Sequence, residues 1–447
     1  MKLAAALLTL LLSAVPVLAQ GSAPLHLAYT QFTLPNGLHV VLHEDHSVPT
    51  VAVNVWYHVG SAHERPGRTG FAHLFEHLMF MGSGHVKPGV FDESLEEAGG
   101  TNNGSTEYDR TNYWMTVPSN GLPLALALES DRMGYLLDSM TPQAVDAQRD
   151  VVKNERRQSV ENTPYATAEE VLLGEMLYPE GHPYHWPVIG YMADLSAASY
   201  DDVVAFFRSY YAPGNASLVI AGDIDPAATR TLVEHWFSDI PAGAPVPPRA
   251  VPGASLTGVQ RRTVTDRVQL PRLYLAWLTP AALAPGDAAL DLVADVLAGG
   301  KNSRLYKRLV YDLQIAQSVS ARQQSQALSS SFVIEVTPRP GHTLDELRPL
   351  VDEEIARLQA TPPAAHELDR AVRQVEASFY ARMERVGGFG GKADQLNHYF
   401  TATGTPDWFN EDLSRYLAID PTDVQAAAAA FLPQDRRVEL TVVPESH

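Results

Sequence analysis

Two histidines and a glutamate lie in the stretch FAHLFEHLMF, residues 71–80, which is otherwise apolar. If the stretch is helical, His73, Glu76 and His77 fall within one arc of roughly 100°, because each residue turns the helix by about 100°. Leu74 and its large apolar neighbours then occupy the opposite side. The spacing therefore predicts an amphipathic helix that buries one face and gathers two imidazoles and a carboxylate on the other.

This cluster has the arrangement of a metal site. Histidines at positions i and i+4 of a helix can direct their ring nitrogens at one metal ion. Glu76 lies beside the pair, where it could take a proton from metal-bound water. The alternative is a pair of core histidines hydrogen-bonded to a buried glutamate. A mostly apolar helix seldom buries three such groups without a strong partner, so the pattern favours a zinc site.

The segments around this helix predict both strands and helices. Asn36 and Gly37 separate two alternating runs, a strong hairpin signal, and TNYWMTVP at 111–118 is typical of a strand. Thr69 is placed to cap the helix at its N-terminus. Hairpin-linked strands with helices grouped between them indicate an α+β fold, with helices packed on one face of a largely antiparallel sheet.

The two halves of the chain resemble one another at a constant offset of 221 residues. Trp56 corresponds to Trp277 and Arg149 to Arg370, and two further anchors keep the same offset. A repeat of this kind indicates a duplicated domain. A proline-rich stretch lies between the halves and is typical of an extended linker.

The N-terminal sequence predicts an exported protein. Lys2 precedes an apolar run, and Ala19 ends a small-residue cleavage site. A membrane anchor would need roughly 20 unbroken apolar residues, and Pro16 interrupts the run too early, so no anchor is expected after cleavage. We expect the bacterial periplasm as the destination. The predicted organisation is a signal peptide at 1–19, a zinc-binding domain at 20–240, a linker at 241–256 and a homologous second domain at 257–447.

Composition excludes one class of partner. The formal net charge is −19, and such a chain would be repelled by the phosphate backbone of a nucleic acid. The chain also has no cysteine, so its fold uses no disulfide despite an oxidising destination.

The order His-x-x-Glu-His is the inverzincin signature. Together with GGTNNGSTEYDRTNYWMTVP, QRDVVKNERRQ, LAGGKNSRLYKRL and the duplicated halves, it makes the chain similar to the pitrilysin family, which includes insulin-degrading enzyme and the mitochondrial processing peptidase. The resemblance covers nearly the whole chain and is closest to bacterial members of this length. It implies a zinc endopeptidase, with one Zn²⁺ per chain, that hydrolyses peptides or short unfolded segments.

The resemblance also implies roles for particular residues. Glu155 matches the distal third zinc ligand, which with His73 and His77 leaves one position for water. Glu76 is then the general base. Many members carry a glutamate seven positions before the distal ligand, where this chain has Gln148, which could orient a ligand by hydrogen bonds without a charge.

The segment that follows the motif helix resembles the strand edge on which family members hold the substrate backbone, by adding it to the sheet. Asn103 and Thr106 occupy the matching positions and are the predicted substrate-binding residues.

The second half resembles the inactive domain of the family. Ala294, Leu297 and Ala298 occupy its zinc-site positions, so it is not expected to bind zinc in the same way. Family members usually carry an Arg and a Tyr seven residues apart in this domain, whereas the aligned positions here hold Val310 and Gln317.

The absence of the Arg/Tyr pair at the aligned positions affects which partner chain we expect. Arg304 and Tyr311 are seven residues apart but six residues out of register, so we interpret them as a coincidence. Family members build a clamshell chamber from four such domains, in one long chain or in two half-length chains. We therefore predict a heterodimer with a sister chain that supplies the Arg/Tyr pair, with a homodimer as the alternative.

Two other functions are compatible with the family. A non-catalytic peptide-binding or structural subunit of a larger complex typically loses motif residues, whereas His73, Glu76, His77 and Glu155 are all present. A periplasmic zinc store would have no use for Glu76.

Overall fold

A computed structural model describes residues 24–249 and 251–445. The predicted signal peptide lies outside the described residues. The strands are β1 Thr30–Thr33, β2 His39–Glu44, β3 Thr50–Tyr57, β4 Thr101–Thr106, β5 Thr111–Pro118, β6 Ala216–Gly222, β7 Gln260–Asp266, β8 Arg272–Thr279, β9 Ala316–Gln324, β10 Ser330–Pro338 and β11 Val438–Pro444. The helices are α1 Phe71–Leu78, α2 Val90–Glu97, α3 Leu122–Ser139, α4 Pro142–Arg156, α5 Leu173–Leu177, α6 Met192–Ala197, α7 Tyr200–Tyr210, α8 Pro226–Phe237, α9 Asp287–Ala298, α10 Leu344–Ala360, α11 Ala365–Arg382, α12 Lys392–Thr403, α13 Phe409–Leu417 and α14 Pro421–Phe431.

The strands form two sheets, one from each half of the sequence. The first has the order β1-β2-β6-β3-β5-β4 and the second the order β7-β11-β8-β10-β9. Apart from β1, the two orders match strand for strand, as a duplication requires. Within the described strands only β2 with β6 and β7 with β11 pair in parallel. The predicted α+β fold with largely antiparallel sheets is confirmed.

Each sheet packs helices of its own half on one face. In the first sheet, alternate residues such as Val53 and Val55 face α1, α3 and α7 in a closed apolar core. Leu275 and Trp277 face α9, α10 and α14 in the same way in the second sheet. The alternation follows from the two-residue period of a strand, which sends neighbouring side chains to opposite faces.

The other face of each sheet is covered by helices from the opposite half. Ala52 and Val219 of the first sheet pack against Leu396 and Tyr399 of α12. In return, the segment from Val160 to Tyr184 covers the outer face of the second sheet. The halves are therefore interlocked, an arrangement that the sequence pattern did not predict.

Among the described residues, every helix is too short or too polar to cross a bilayer.

The exchanged helix α12 yields a stability prediction. Leu396 is fully buried between α12 and the first sheet, so Leu396→Ala should lower the free energy of unfolding by about 2–5 kcal/mol. Leu417, 52% exposed at the end of α13, provides the control, since Leu417→Ala should change it by less than about 0.5 kcal/mol. Denaturant unfolding measures both. Equal stability of the two variants would contradict the packing described.

Candidate metal centre

Helix α1 begins differently from the prediction. The residue before it is Gly70, whose φ of 87° favours glycine, and the Thr69 hydroxyl donates to Asp194 Oδ2 at 2.7 Å and does not cap the helix. The buried carboxylate of Glu64 instead accepts the backbone N–H groups of Gly70 and Ala72, each at 2.8 Å. A carboxylate at a helix N-terminus is favourable because the free N–H groups there carry partial positive charge.

The two faces of α1 are those the sequence predicted. His73, Glu76 and His77 lie partly exposed on one side. The apolar side chains on the opposite side are at most 2% exposed: Leu74, Phe75, Leu78 and Met79. The burial of this face fixes the orientation of the three polar groups.

Helix α4 brings Glu155 to the same point. Its carboxylate oxygens lie 3.6 Å from His73 Nε2 and 3.1 Å from His77 Nε2. These residues form a possible metal-binding group whose ligand atoms all lie within 4.8 Å of one another. In a tetrahedral zinc site with bonds of about 2.0–2.2 Å, neighbouring ligand atoms are roughly 3.3–3.6 Å apart. The two nitrogens and one carboxylate therefore fit a zinc ion.

Local sequence explains the placement of Glu155. Thr141 caps α4 by accepting the N–H of Ala144, and Pro142 occupies the first turn, where its missing N–H costs nothing. Glu155 lies near the other end, just before a π-helical turn at Arg157–Glu161. Such turns often occur at functional sites.

The charge states of the ligands suit a cation. Burial lowers the pKa of the His73 imidazole to about 4, so the ring is neutral at neutral pH, the form that binds metals. The hydrogen bond from His77 lowers the pKa of Glu155, so its carboxylate is ionised.

Glu76 is held beside this group by the neighbouring strand. Burial raises its pKa, and a hydrogen bond from Thr106 acts in the opposite direction. The Thr106 hydroxyl donates to Glu76 Oε2 at 2.7 Å. A Cβ atom added to Gly104 would lie 3.2 Å from Glu76 Cγ, so glycine lets β4 pass closely over the carboxylate. Pattern analysis missed this contact of Thr106, because it depends on tertiary packing.

The outer edge of β4 is free to pair. Glu107 N donates to Arg110 O at 2.9 Å where the β4–β5 hairpin closes. Antiparallel alternation from that pair turns the backbone N–H and C=O groups of Gly104 and Thr106 away from β5. Asn103 Oδ1 accepts the outward N–H of Gly104 at 2.8 Å, and no other described strand pairs with this edge.

Gln148 does not orient a zinc ligand as predicted. Its amide nitrogen lies 2.6 Å from Met81 Sδ, and its buried Oε1 has no hydrogen-bond partner among the described residues. The side chain is two helical turns before Glu155 on α4, so it meets the segment after α1 and not the imidazoles.

In the part of the second half that the structure describes, the corresponding place has no comparable group of metal ligands. Helix α9 takes the position of α1, and Ala294 and Leu297 are buried in its apolar core. At the positions aligned with the family's Arg/Tyr pair, Val310 is buried and Gln317 exposed. Arg304 lies six residues out of register with that pair. It makes a two-point ion pair with Glu367, at 2.8 and 2.9 Å.

Comparisons with known proteins identify the family of the chain. Residues 39–180 match the family described as insulinase, peptidase family M16, and residues 197–375 match the peptidase M16 inactive domain. The chain belongs to peptidase family M16. A curated M16 relative, the zinc protease PqqE of Helicobacter pylori, is 28% identical over 83% of this chain and 83% of its own.

Solved structures share the fold. A protease from Helicobacter pylori superposes with a TM-score of 0.84 at 24% identity, over 93% of this chain and 99% of that one. The periplasmic protease PqqL from Escherichia coli gives a TM-score of 0.76 at 18% identity, over 95% of this chain but only 48% of its own. This M16 chain therefore corresponds to half of the longer protein.

The site predicts metal binding that can be measured without an activity assay. The purified protein should bind one Zn²⁺ per chain, and Glu155→Ala should weaken binding at least about 100-fold because the anionic ligand is lost. Glu161→Ala, on the exposed turn just after α4, is the matched control and should bind normally. Competition with a chromophoric chelator gives the affinities. Affinity should fall on acidification because protons compete with the metal for its ligand atoms. Tight binding by Glu155→Ala would contradict the assignment.

Proposed function

We propose that this M16 chain is a zinc-dependent endopeptidase that hydrolyses peptides or short unfolded segments. The observation that carries the proposal is the convergence of His73, His77 and Glu155 on one point, with the carboxylate of Glu76 beside them. The name of the curated relative, a zinc protease, supports it. The assembled site also disfavours a purely structural subunit, which would need none of these contacts.

The residues divide the chemistry between them. His73 and His77 would hold zinc through Nε2, and Glu155 would supply the negative charge. When bound, zinc polarises a carbonyl oxygen and acidifies water. Glu76 accepts the proton that the water loses and passes it to the leaving amine. The hydrogen bond from Thr106 to Oε2 would hold the Glu76 carboxylate in place for this transfer.

The free edge of β4 supports a mode of substrate binding. An extended peptide would pair with the outward backbone groups of Gly104 and Thr106 as an added strand. The Asn103 side chain accepts a hydrogen bond from the Gly104 N–H. To free that N–H for the peptide, the side chain would turn away and bind the incoming peptide itself. We therefore assign substrate binding to Asn103 and to the backbone of Thr106, whose side chain is engaged with Glu76.

We propose that the chain works as half of a clamshell chamber. PqqL spans about twice this length in one chain, and this chain lacks the Arg/Tyr pair at the aligned positions. A sister chain that supplies the pair is the expected partner, with a homodimer as the alternative. We retain the domain limits 20–240 and 257–447, and a periplasmic location after signal cleavage, which the periplasmic origin of PqqL supports.

Glu76→Gln tests the proposed mechanism. The amide keeps the shape of the side chain but cannot act as a base, so turnover of a fluorogenic peptide should fall by about 10²–10⁴-fold. Zinc content should stay at one per chain, because Glu76 is not a ligand. Hydrolysis at the wild-type rate with zinc bound would refute the role of Glu76, and a chelator should abolish the wild-type activity.

Gly104→Ala tests the close passage of β4. The new Cβ would lie 3.2 Å from both Glu76 Cγ and Tyr113 Cδ1, and the displacement of the base should reduce kcat about tenfold, a change of about 1.4 kcal/mol in the barrier. Gly258, where an added Cβ meets nothing within 4 Å, provides the control. Steady-state kinetics of Gly258→Ala should match wild type, and an unaffected Gly104→Ala enzyme would contradict the geometry.

A further inference from the structure

A buried carboxylate of the second half contacts the back of the first sheet. Asp394, in the first turn of α12, is 8% exposed. Its Oδ1 accepts hydrogen bonds from Asn54 Nδ2 at 3.2 Å, Trp56 Nε1 at 3.0 Å and Asn112 Nδ2 at 3.1 Å. Its Oδ2 accepts the backbone N–H of Gly390 at 2.8 Å. One side chain thus joins β3, β5 and the glycine-rich loop before α12.

These contacts require a carboxylate. An ionised Asp accepts at both oxygens and offers no hydrogen, so four donors can converge on it. An Asn at the same place would turn an NH₂ group toward donors that already point inward. Buried donors left without an acceptor lose their hydrogen bonds to water without replacement, which destabilises the arrangement.

Asp394 also fixes the orientation of Asn112. Because the Asn112 NH₂ group is used on Asp394, its Oδ1 points at the β4–β5 hairpin. There it accepts from Ser105 Oγ at 2.6 Å and from Arg110 Nη1 at 3.0 Å. Arg110 also donates to Ser105 O at 3.0 Å and lies over the Trp56 ring, 5.0 Å from its centroid.

The hairpin carries this arrangement to the candidate metal centre. Ser105 lies between Gly104, which passes over Glu76, and Thr106, which donates to the same carboxylate. Its side chain points to the Asn112 side of the sheet, while those two residues meet α1. A shift of about 1 Å in groups that position a reaction can cost about 100-fold in rate.

We propose that Asp394 is a positioning residue for the peptidase reaction. It lets the inactive half set the position of the β4–β5 hairpin against Glu76 in the same chain. The inference rests on the proposed function and extends it. It gives the second half, which supplies none of the predicted zinc ligands, a direct part in the chemistry of the first half.

Asp394→Asn is the principal test. The folded, zinc-replete variant should show kcat/KM reduced about 10–100-fold, with kcat lowered and KM raised, since both the base and the peptide edge are displaced. Amide hydrogen exchange in residues 101–106 should be at least about 10-fold faster than in wild type, even without substrate.

A matched control separates positioning from stability. Asp412 is another buried carboxylate of the second half, 8% exposed, which accepts from Tyr399 and Arg415 within that half. Asp412→Asn should lower the unfolding midpoint while kcat, KM and exchange in β4 stay at wild-type values.

A second variant covers the case in which Asp394→Asn does not fold. Ser105→Ala removes the direct side-chain hydrogen bond from β4 to Asn112 and keeps both Asp394 and the contact through Arg110. It should therefore change kcat/KM and β4 exchange in the same direction as Asp394→Asn, by a smaller factor and with little loss of stability. Wild-type kinetics in folded Asp394→Asn or in Ser105→Ala would overturn the proposal. Wild-type protein that binds zinc but cleaves no peptide would overturn the proposed function itself, whereas the exchange data would still report whether Asp394 anchors β4.

Discussion

The structure depends on one electrostatic constraint: two imidazoles and a carboxylate from separate helices must meet at a single point. A neutral His73 ring and an ionised Glu155 carboxylate can both bind a cation. Without a cation, holding such polar groups together in a partly buried place is costly. The apolar face of α1, the Glu64 carboxylate at its N-terminus and the capped start of α4 all serve to bring these ligands together. The Glu155 oxygens lie 3.6 Å from His73 Nε2 and 3.1 Å from His77 Nε2, close to the separation of ligand atoms in a tetrahedral zinc site.

The interlocked halves give this site a rigid surrounding. Since each sheet has one face covered by the other half, neither half could be removed without exposing a large apolar surface. This dependence explains in physical terms why the first half is accompanied by a second half whose described residues form no such ligand group. Its α12 supports the sheet from behind, and Asp394 extends that support to the strand beside Glu76.

Local features of the fold were predictable because they depend on short-range patterns. The hairpin at Gly37 and the two faces of α1 follow from turn residues and periodicity. The duplication was predictable from the constant 221-residue offset between the halves, and the matching strand orders agree with it. Glu155 was found only through the family resemblance, since a glutamate on a charged helix carries no signal of its own. The prediction that Thr69 caps α1 was wrong because Glu64, six residues before Gly70, accepts the free N–H groups at the start of the helix. The predicted role of Gln148 was wrong because the direction of its side chain depends on the packing of α4 against Met81. The contacts of Thr106 and Asp394 join residues 30 to 340 positions apart, and no local pattern contains them.

Zinc K-edge X-ray absorption on the zinc-loaded wild-type protein tests the central claim most directly. The account predicts a four-coordinate ion with two imidazole nitrogens and two oxygens at about 2.0–2.2 Å. The imidazole scattering should be reduced by half in His73→Ala. A spectrum without imidazole scattering, or one that removal of His73 leaves unchanged, would contradict the account, because the metal would then lie elsewhere.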